Sequence, residues 1–166
     1  MSIGVQKMVR SDLAIAGVAF SLDPQTGYNN AITINASYGL GEGVVSGLVN
    51  PDDIIVDKRS LYQNIKYPII GITIGNKKQK VIYASRGSGT IKVNTTEKEQ
   101  DRLCITYEEI KKIGKAVLYL ETYYKKLYHN NVSIDIEWAF DGIDKELYII
   151  QVLSLIHISE PTRLGM

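Results

Sequence analysis

An α+β domain, with a largely antiparallel sheet and helices on one side, is the fold this sequence predicts. Three features predict it: short β-branched runs separated by glycine and polar breaks, one long stripe of apolar residues at helical spacing, and a hairpin signal near the C-terminus. At 166 residues, with 45% hydrophobic and 22% charged, the chain can bury the single sizeable core that such a fold needs.

Residues 3–9 (IGVQKMV) and 16–24 (AGVAFSLDP) read as short strands parted by the polar RSD, and DPQTGYNN reads as a turn. Residues 31–37 (AITINAS) make another strand, which runs into the glycine-rich YGLGEGVVSGLVNPDD. That stretch fits neither common phosphate-loop template. G-x-G-x-x-G would need glycine where Val44 stands, and G-x-x-x-x-G-K-[ST] matches nowhere. It reads as a strand-to-helix turn whose helix starts near Glu42, an acid suited to a helix N-terminus. Residues 53–58 (DIIVDK), 80–85 (KVIYAS) and 89–94 (GTIKVN) continue the strand pattern.

Ile110, Ile113, Val117, Leu120, Tyr124 and Leu127 form a single stripe at alternating three- and four-residue spacing, the signature of an amphipathic helix. Thr106 and Glu109 supply a capping box at its start, and Lys125 and Lys126 suit the dipole near its end. This helix is expected to cover one face of the sheet.

Residues 133–140 (SIDIEWAF) and 147–152 (LYIIQV) flank the turn signal DGIDKE, which predicts a β-hairpin with its loop at 142–146. Pairing symmetric about Asp144 sets Asp141 opposite Leu147, Glu137 opposite Gln151 and Asp135 opposite Leu153, with Trp138 facing Ile150 on the core side. Period two then places Asp135, Glu137 and Gln151 on one face. Two carboxylates on one sheet face repel unless a cation lies between them. Two carboxylates and an amide oxygen are hard ligands, suited to Mg²⁺ or Mn²⁺ carrying nucleotide phosphates. The alternative is a sheet face that simply meets water.

Other chemistries find less support. Net charge is +1, from 19 basic and 18 acidic residues, so nucleic acid and anionic membranes are not expected partners. Cys104 stands alone, which leaves no disulfide framework or cysteine metal site and suits a reducing cytoplasm. No run approaches the roughly 20 apolar residues of a membrane span, and the N-terminus lacks the apolar core of a signal peptide. Cytoplasmic location is the resulting expectation. His129 lies in the polar YHNN and reads as a surface residue, and no Ser/His/Asp or Cys/His arrangement is evident.

Four stretches, in order, carry a resemblance to a known family: IGVQKMVRSDLAIAGVAFSLDPQTG, INASYGLGEGVVSGLVNPDD, IGNKKQKVIYA and DIEWAFDGIDKELYIIQ. Together they span almost all of residues 3–151 and resemble the C-terminal half of the ATP-grasp nucleotide-binding domain of phosphoenolpyruvate synthases. The glycine segment and the D-I-E-W…Q ending are shared with rifampicin phosphotransferases, whereas GNKKQKVIYA looks more like the synthase. The resemblance implies a metal site at Asp135, Glu137 and Gln151, with Mg²⁺ or Mn²⁺ as cofactor and ATP as substrate. Nucleotide contacts are implied for Gln6, Glu137 and Gln151. It also implies that a phosphohistidine on a separate domain relays phosphate to pyruvate in a third domain.

Residues 1–152 are thus expected to be an incomplete nucleotide-binding domain. The family continues Q-x-R-P-E-T where this chain reads QVLSLIHISEPTRLGM, with Leu153 in place of the arginine. Residues 153–166 are accordingly expected to be a non-family, disordered or artefactual tail. With half the nucleotide clamp and the acceptor domains outside it, this chain by itself is expected to be inactive. The alternatives are a fragment of a rifampicin-phosphotransferase-like kinase and a non-catalytic nucleotide-binding module.

Overall fold

The computed structural model describes residues 3–85, 88–129 and 131–154. Six strands make one antiparallel sheet: β1 (Ile15–Phe20), β2 (Ala31–Tyr38), β3 (Asp52–Asp57), β4 (Ile69–Thr73), β7 (Ile134–Phe140) and β8 (Leu147–Ser154). Their order across the sheet is β4-β3-β2-β1-β7-β8. A separate two-stranded ribbon pairs β5 (Gln79–Tyr83) with β6 (Thr90–Asn94). The helices are α1 (Glu42–Val45), α2 (Lys58–Tyr62), α3 (Glu97–Gln100) and α4 (Tyr107–Tyr128). The expected α+β class and antiparallel pairing are what form.

Alternation along the strands divides the sheet into two faces. Ile15 and Ala19 of β1, Ile32, Ile34 and Ala36 of β2, Ile54 and Val56 of β3, and Ile134, Ile136 and Trp138 of β7 all enter one buried core. Helix α4 packs on that face through Ile110, Ile113 and Val117, with Leu120 and Tyr124 at the margin. Leu127, the last residue of the predicted stripe, is 54% exposed, because the helix runs past the core there. The capping box forms as expected: Glu109 accepts from the Thr106 amide at 2.8 Å while Thr106 caps the Glu109 amide. At Gly114 a Cβ would meet Leu61 at 2.8 Å, so α2 and α4 approach closely because this residue has no side chain.

The helices do not all lie on one side, as the fold expectation had it. α2 and α4 share the core face, but Val45 of α1 sits with Glu137 and Val18 on the reverse face. The short strand expected over residues 3–9 does not form, and residues 3–10 have no regular structure. Ile3, Val5 and Met8 are exposed, so no neighbouring strand or core rewards their alternation.

Two buried ion pairs tie the periphery to the sheet. Lys77, fully buried, pairs with equally buried Asp52, and Asp52 also accepts from the Gly75 amide (3.0 Å) and the Cys104 amide (2.7 Å). This joins the start of β3, the approach to β5 and the approach to α4. Lys58 pairs with Glu121 at 2.9 Å and donates to the Ser21 carbonyl at 2.5 Å, which links α2, α4 and the end of β1. Burial pushes the Lys58 ammonium pKa down, opposed by Glu121.

Removing one partner of such a pair strands the other charge. Lys77→Met should therefore lower stability by about 3–5 kcal/mol. Urea unfolding followed by circular dichroism measures it, and a loss below roughly 1 kcal/mol, typical of an exposed pair, would show that Asp52 does not depend on Lys77.

Candidate functional site

The face of the sheet turned away from α4 carries a transverse row of side chains that is polar except at Val18. Asp53 pairs with Asn35, Asn35 with Val18, Val18 with Glu137 and Glu137 with Gln151, one residue each from β3, β2, β1, β7 and β8. Directly opposed residues share a face, so these five side chains lie side by side. Asp135, two residues before Glu137, joins the same face beside Phe20 and Leu153. Glu137 thus sits opposite Gln151, and Asp135 opposite Leu153, as the hairpin signal predicts.

Beyond Glu137 the predicted register fails. Trp138 pairs with Ile149 and Phe140 with Leu147, so the loop opens at Asp141, one residue earlier than expected. A β-bulge at Glu137/Trp138 leaves Ile150 as the extra residue. It shifts Ile149 and Leu147 toward the core and turns Ile150, 42% exposed, to the polar side. Re-aiming one side chain next to a site is a common effect of a bulge.

Two clefts open on this face, and Glu137 belongs to both. The larger, about 490 Å³, is bounded by Gln6, Met8, Leu40, Val45, Tyr83 and Ile150, with Glu137 at one side. The smaller, about 390 Å³, holds Asp135 and Glu137 with Asn35, Phe20 and Val44. Irregular residues 6–9 with Ser11, the turn into α1 and strand β5 form the walls of the larger cleft. Gly39, at φ +86°, makes that packing possible: a Cβ there would lie 2.4 Å from the Val81 carbonyl oxygen. Thr90 donates to Glu42 at 3.2 Å and the Tyr83 hydroxyl to the Met8 sulfur at 3.0 Å, which closes the ribbon over the cleft.

Of the residues singled out from sequence, Asp135 and Glu137 come together, and Gln6 lines the larger cleft with Glu137. Gln151 is exposed and adjoins Glu137 across the strands without lining either cleft. Sequence reasoning missed Asn35 and Asp53. The alternation Thr33, Asn35, Ser37 against Ile32, Ile34, Ala36 was the available signal. Leu153 and Ser154 continue β8, whereas the rest of the expected tail, 155–166, lies outside the described residues.

The electrostatics of this face are unbalanced. Burial, and then the neighbouring Glu137, raise the Asp135 pKa. Burial, then Asp23, raise that of Asp53, to which Asn35 donates at 3.4 Å. Oδ1 of Asp135 is buried without a hydrogen-bond partner. Such an orphaned anionic oxygen beside a second carboxylate invites a hard cation. Among the described residues no group of three or more His, Cys, Asp or Glu could hold a metal by itself. A hard cation on this face would therefore meet at most two carboxylates from the described residues, which would leave room for other oxygen ligands.

Residues 1–162 match the family model described as the pyruvate phosphate dikinase AMP/ATP-binding domain, a match that continues past residue 152. The chain is 44% identical over 153 residues to the phosphoenolpyruvate synthase of Helicobacter pylori, 45% over 152 to that of Synechocystis sp. and 39% over 154 to that of Escherichia coli. Each alignment covers 91% of this chain but only 18–19% of the relative, so the chain spans about a fifth of the curated relatives it matches.

Because its pKa is raised in the folded state, Asp135 favours folding at low pH and loses that contribution as pH rises through its folded value. Asp135→Asn should accordingly raise the urea midpoint of the metal-free chain at pH 7, with the gain shrinking as pH falls below the carboxylate range. A midpoint lowered at pH 7 would mean that the carboxylate has a stabilising partner within the fold.

Proposed function

This chain belongs to the pyruvate phosphate dikinase AMP/ATP-binding domain family, and from that premise we propose that its polar face binds ATP with a divalent cation, as part of a phosphoenolpyruvate synthase. The observation that carries the reading is the position of Glu137, shared by the two clefts and adjacent to the orphaned Asp135 oxygen. The larger cleft suits a nucleobase. Met8, Leu40, Val45 and Ile150 offer apolar surface, and Gln6 offers an amide for a polar ring edge. The smaller suits phosphate, since its acids would repel an anion unless a metal intervenes.

Asp135 and Glu137 would hold Mg²⁺ or Mn²⁺, with Gln151 beside them. Bound there, the metal supplies charge neutralisation and a template for phosphate oxygens. The chain's own contribution is to bind and orient: β7 places the two carboxylates, α1 and the β5–β6 ribbon wall the cleft, and Ile150 excludes water from one edge. In the family's ATP-grasp arrangement the other half of the clamp would close over this face. The whole enzyme would convert ATP, pyruvate and water to AMP, phosphoenolpyruvate and phosphate through a phosphohistidine on a separate domain, in the cytoplasm. The phosphohistidine and pyruvate sites would belong to other domains of that enzyme, so this chain by itself should bind nucleotide without turnover.

Isothermal titration of the chain with Mg-ATP, and with ATP plus a chelator, tests the reading. Glu137→Gln should weaken Mg-ATP by roughly ten- to a hundredfold, equivalent to about 1.4–2.8 kcal/mol. Metal-free ATP should bind as before or tighter, because one anionic repulsion is gone. An equal effect on both would refute the metal assignment, and phosphoenolpyruvate formation by the isolated chain would refute the fragment reading.

A further inference from the structure

The wall of the larger cleft that carries Gln6 has no secondary structure of its own, which raises the question of what holds it in place. Residues 3–10 pair with no strand, yet Gln6, Lys7, Met8, Val9 and Ser11 all line the cleft. Their anchor lies outside it. Asp141, at the start of the β7–β8 turn, is 1% exposed and lines neither cleft. Its Oδ2 accepts from the Arg10 amide at 3.3 Å, and its Oδ1 accepts from the Ile143 amide at 2.7 Å and the Asp144 amide at 3.4 Å. The Gly142 amide returns a hydrogen bond to the Arg10 carbonyl at 3.0 Å. The turn and the segment therefore exchange backbone contacts in both directions.

Charge closes the same clasp. Lys7 Nζ lies 3.7 Å from Asp141 Oδ2 and donates to Asp144 Oδ2 and the Tyr148 hydroxyl, both at 2.6 Å. Lys7 is the main cause that holds the Asp144 pKa down to about 2. The fit is tight: a Cβ on Gly142 would come within 2.4 Å of Leu13 Cβ and 3.0 Å of the Arg10 carbonyl oxygen. The hairpin that presents Glu137 on its strand thus grips, with its turn, the segment that presents Gln6.

We propose that Asp141 is a positioning residue for nucleotide binding, whose buried carboxylate fixes the Gln6 wall relative to Glu137 at one spacing. This rests on reading the cleft as a nucleotide site. Asp141 acts through the backbone of Arg10 and does not touch the ligand. Asp141 is not part of the apolar core, to which Trp138, Ile149, Phe140 and Leu147 of the β7–β8 ladder belong. Loss of the carboxylate should free the wall while the sheet stays folded.

Asp141→Asn in the 166-residue chain tests this. It keeps the side-chain size but removes the charge and turns an amide toward backbone donors. Trypsin should cut after Lys7 and Arg10 roughly tenfold faster than in the unaltered chain, and after Lys126 in α4 at the same rate, as expected when one hydrogen-bonded clasp to a charged group is lost. Metal-free ATP affinity should fall roughly tenfold, whereas Mn²⁺ affinity without nucleotide, read by electron paramagnetic resonance, should not change. General destabilisation would move all of these together. Unchanged cleavage at Lys7 and Arg10 would overturn the clasp, and faster cleavage with unchanged ATP affinity would overturn the positioning role. If the unaltered chain itself bound no ATP, the nucleotide reading would fall and the positioning role with it, whereas equal ATP binding by both chains would refute the positioning role alone. Should Asp141→Asn fail to fold, Asp144→Asn, which weakens the Lys7 anchor at the surface along with the contacts of that carboxylate to the Glu146 amide and the Tyr148 hydroxyl, should give the same split at smaller size.

Discussion

Trp138 lies against Gly17, and the placement of Asp135 and Glu137 on the polar face follows from that contact. A Cβ on Gly17 would meet Trp138 Cζ2 at 2.9 Å and the Asn35 carbonyl still closer, so the indole fits only over a residue without a side chain. The ring is 1% exposed and meets Phe140 edge to face at 6.0 Å. Strand side chains alternate, so committing Trp138 and Ile136 to the core sends Glu137 and Asp135 to the opposite side. A slip of one residue would bury two carboxylates and expose the largest apolar side chain in the molecule, which is why the register tolerates no alternative.

With one face of the sheet sealed by α4, the polar face is free to be unfavourable. Its acids are partly desolvated and mutually repulsive, and Asp135 Oδ1 is unpartnered. Stability that the fold does not gain there comes from the apolar core on the other face, while two buried ion pairs fix the margins. Those pairs differ from the Asp135–Glu137 couple in kind. Asp52 with Lys77, and Glu121 with Lys58, are each a buried charge with its counter-charge in contact. The couple on β7 is two like charges with no counter-charge in contact among the described residues. Local conflict of this sort, in a fold otherwise consistent, is what is expected at functional sites.

The bulge at Ile150 and the turn at Asp141 belong to the same logic. Both sit on the hairpin that carries Glu137. The first re-aims an apolar side chain into the larger cleft, and the second reaches across to segment 6–11. One hairpin thereby supplies an acid pair, part of an apolar wall and the contacts to the opposite wall, so the acids and the segment that carries Gln6 share a single frame.

The local chemistry of the sequence determined a good deal by itself. The Thr106–Glu109 box and the stripe from Ile110 set α4, Glu42 marks the start of α1, and the alternation in SIDIEWAF sets Asp135 and Glu137 on the face away from Ile136 and Trp138. Each of these depends on neighbours within a few residues, where periods of 2 and 3.6 and capping patterns act directly. Tertiary structure alone decided the rest. The row from Asp53 through Asn35 to Glu137 exists only because β1 lies between β2 and β7, strands far apart in the chain. Residues 3–9 alternate like a strand but find no partner to pair with. Lys77 and Lys58 are buried because Asp52 and Glu121, 25 and 63 residues away, meet them. Ile150 faces the cleft because a bulge breaks the parity of β8. A periodic pattern states which residues share a face, but not which strands adjoin or where a distant charge will close a pair, because those depend on packing that long-range contacts create.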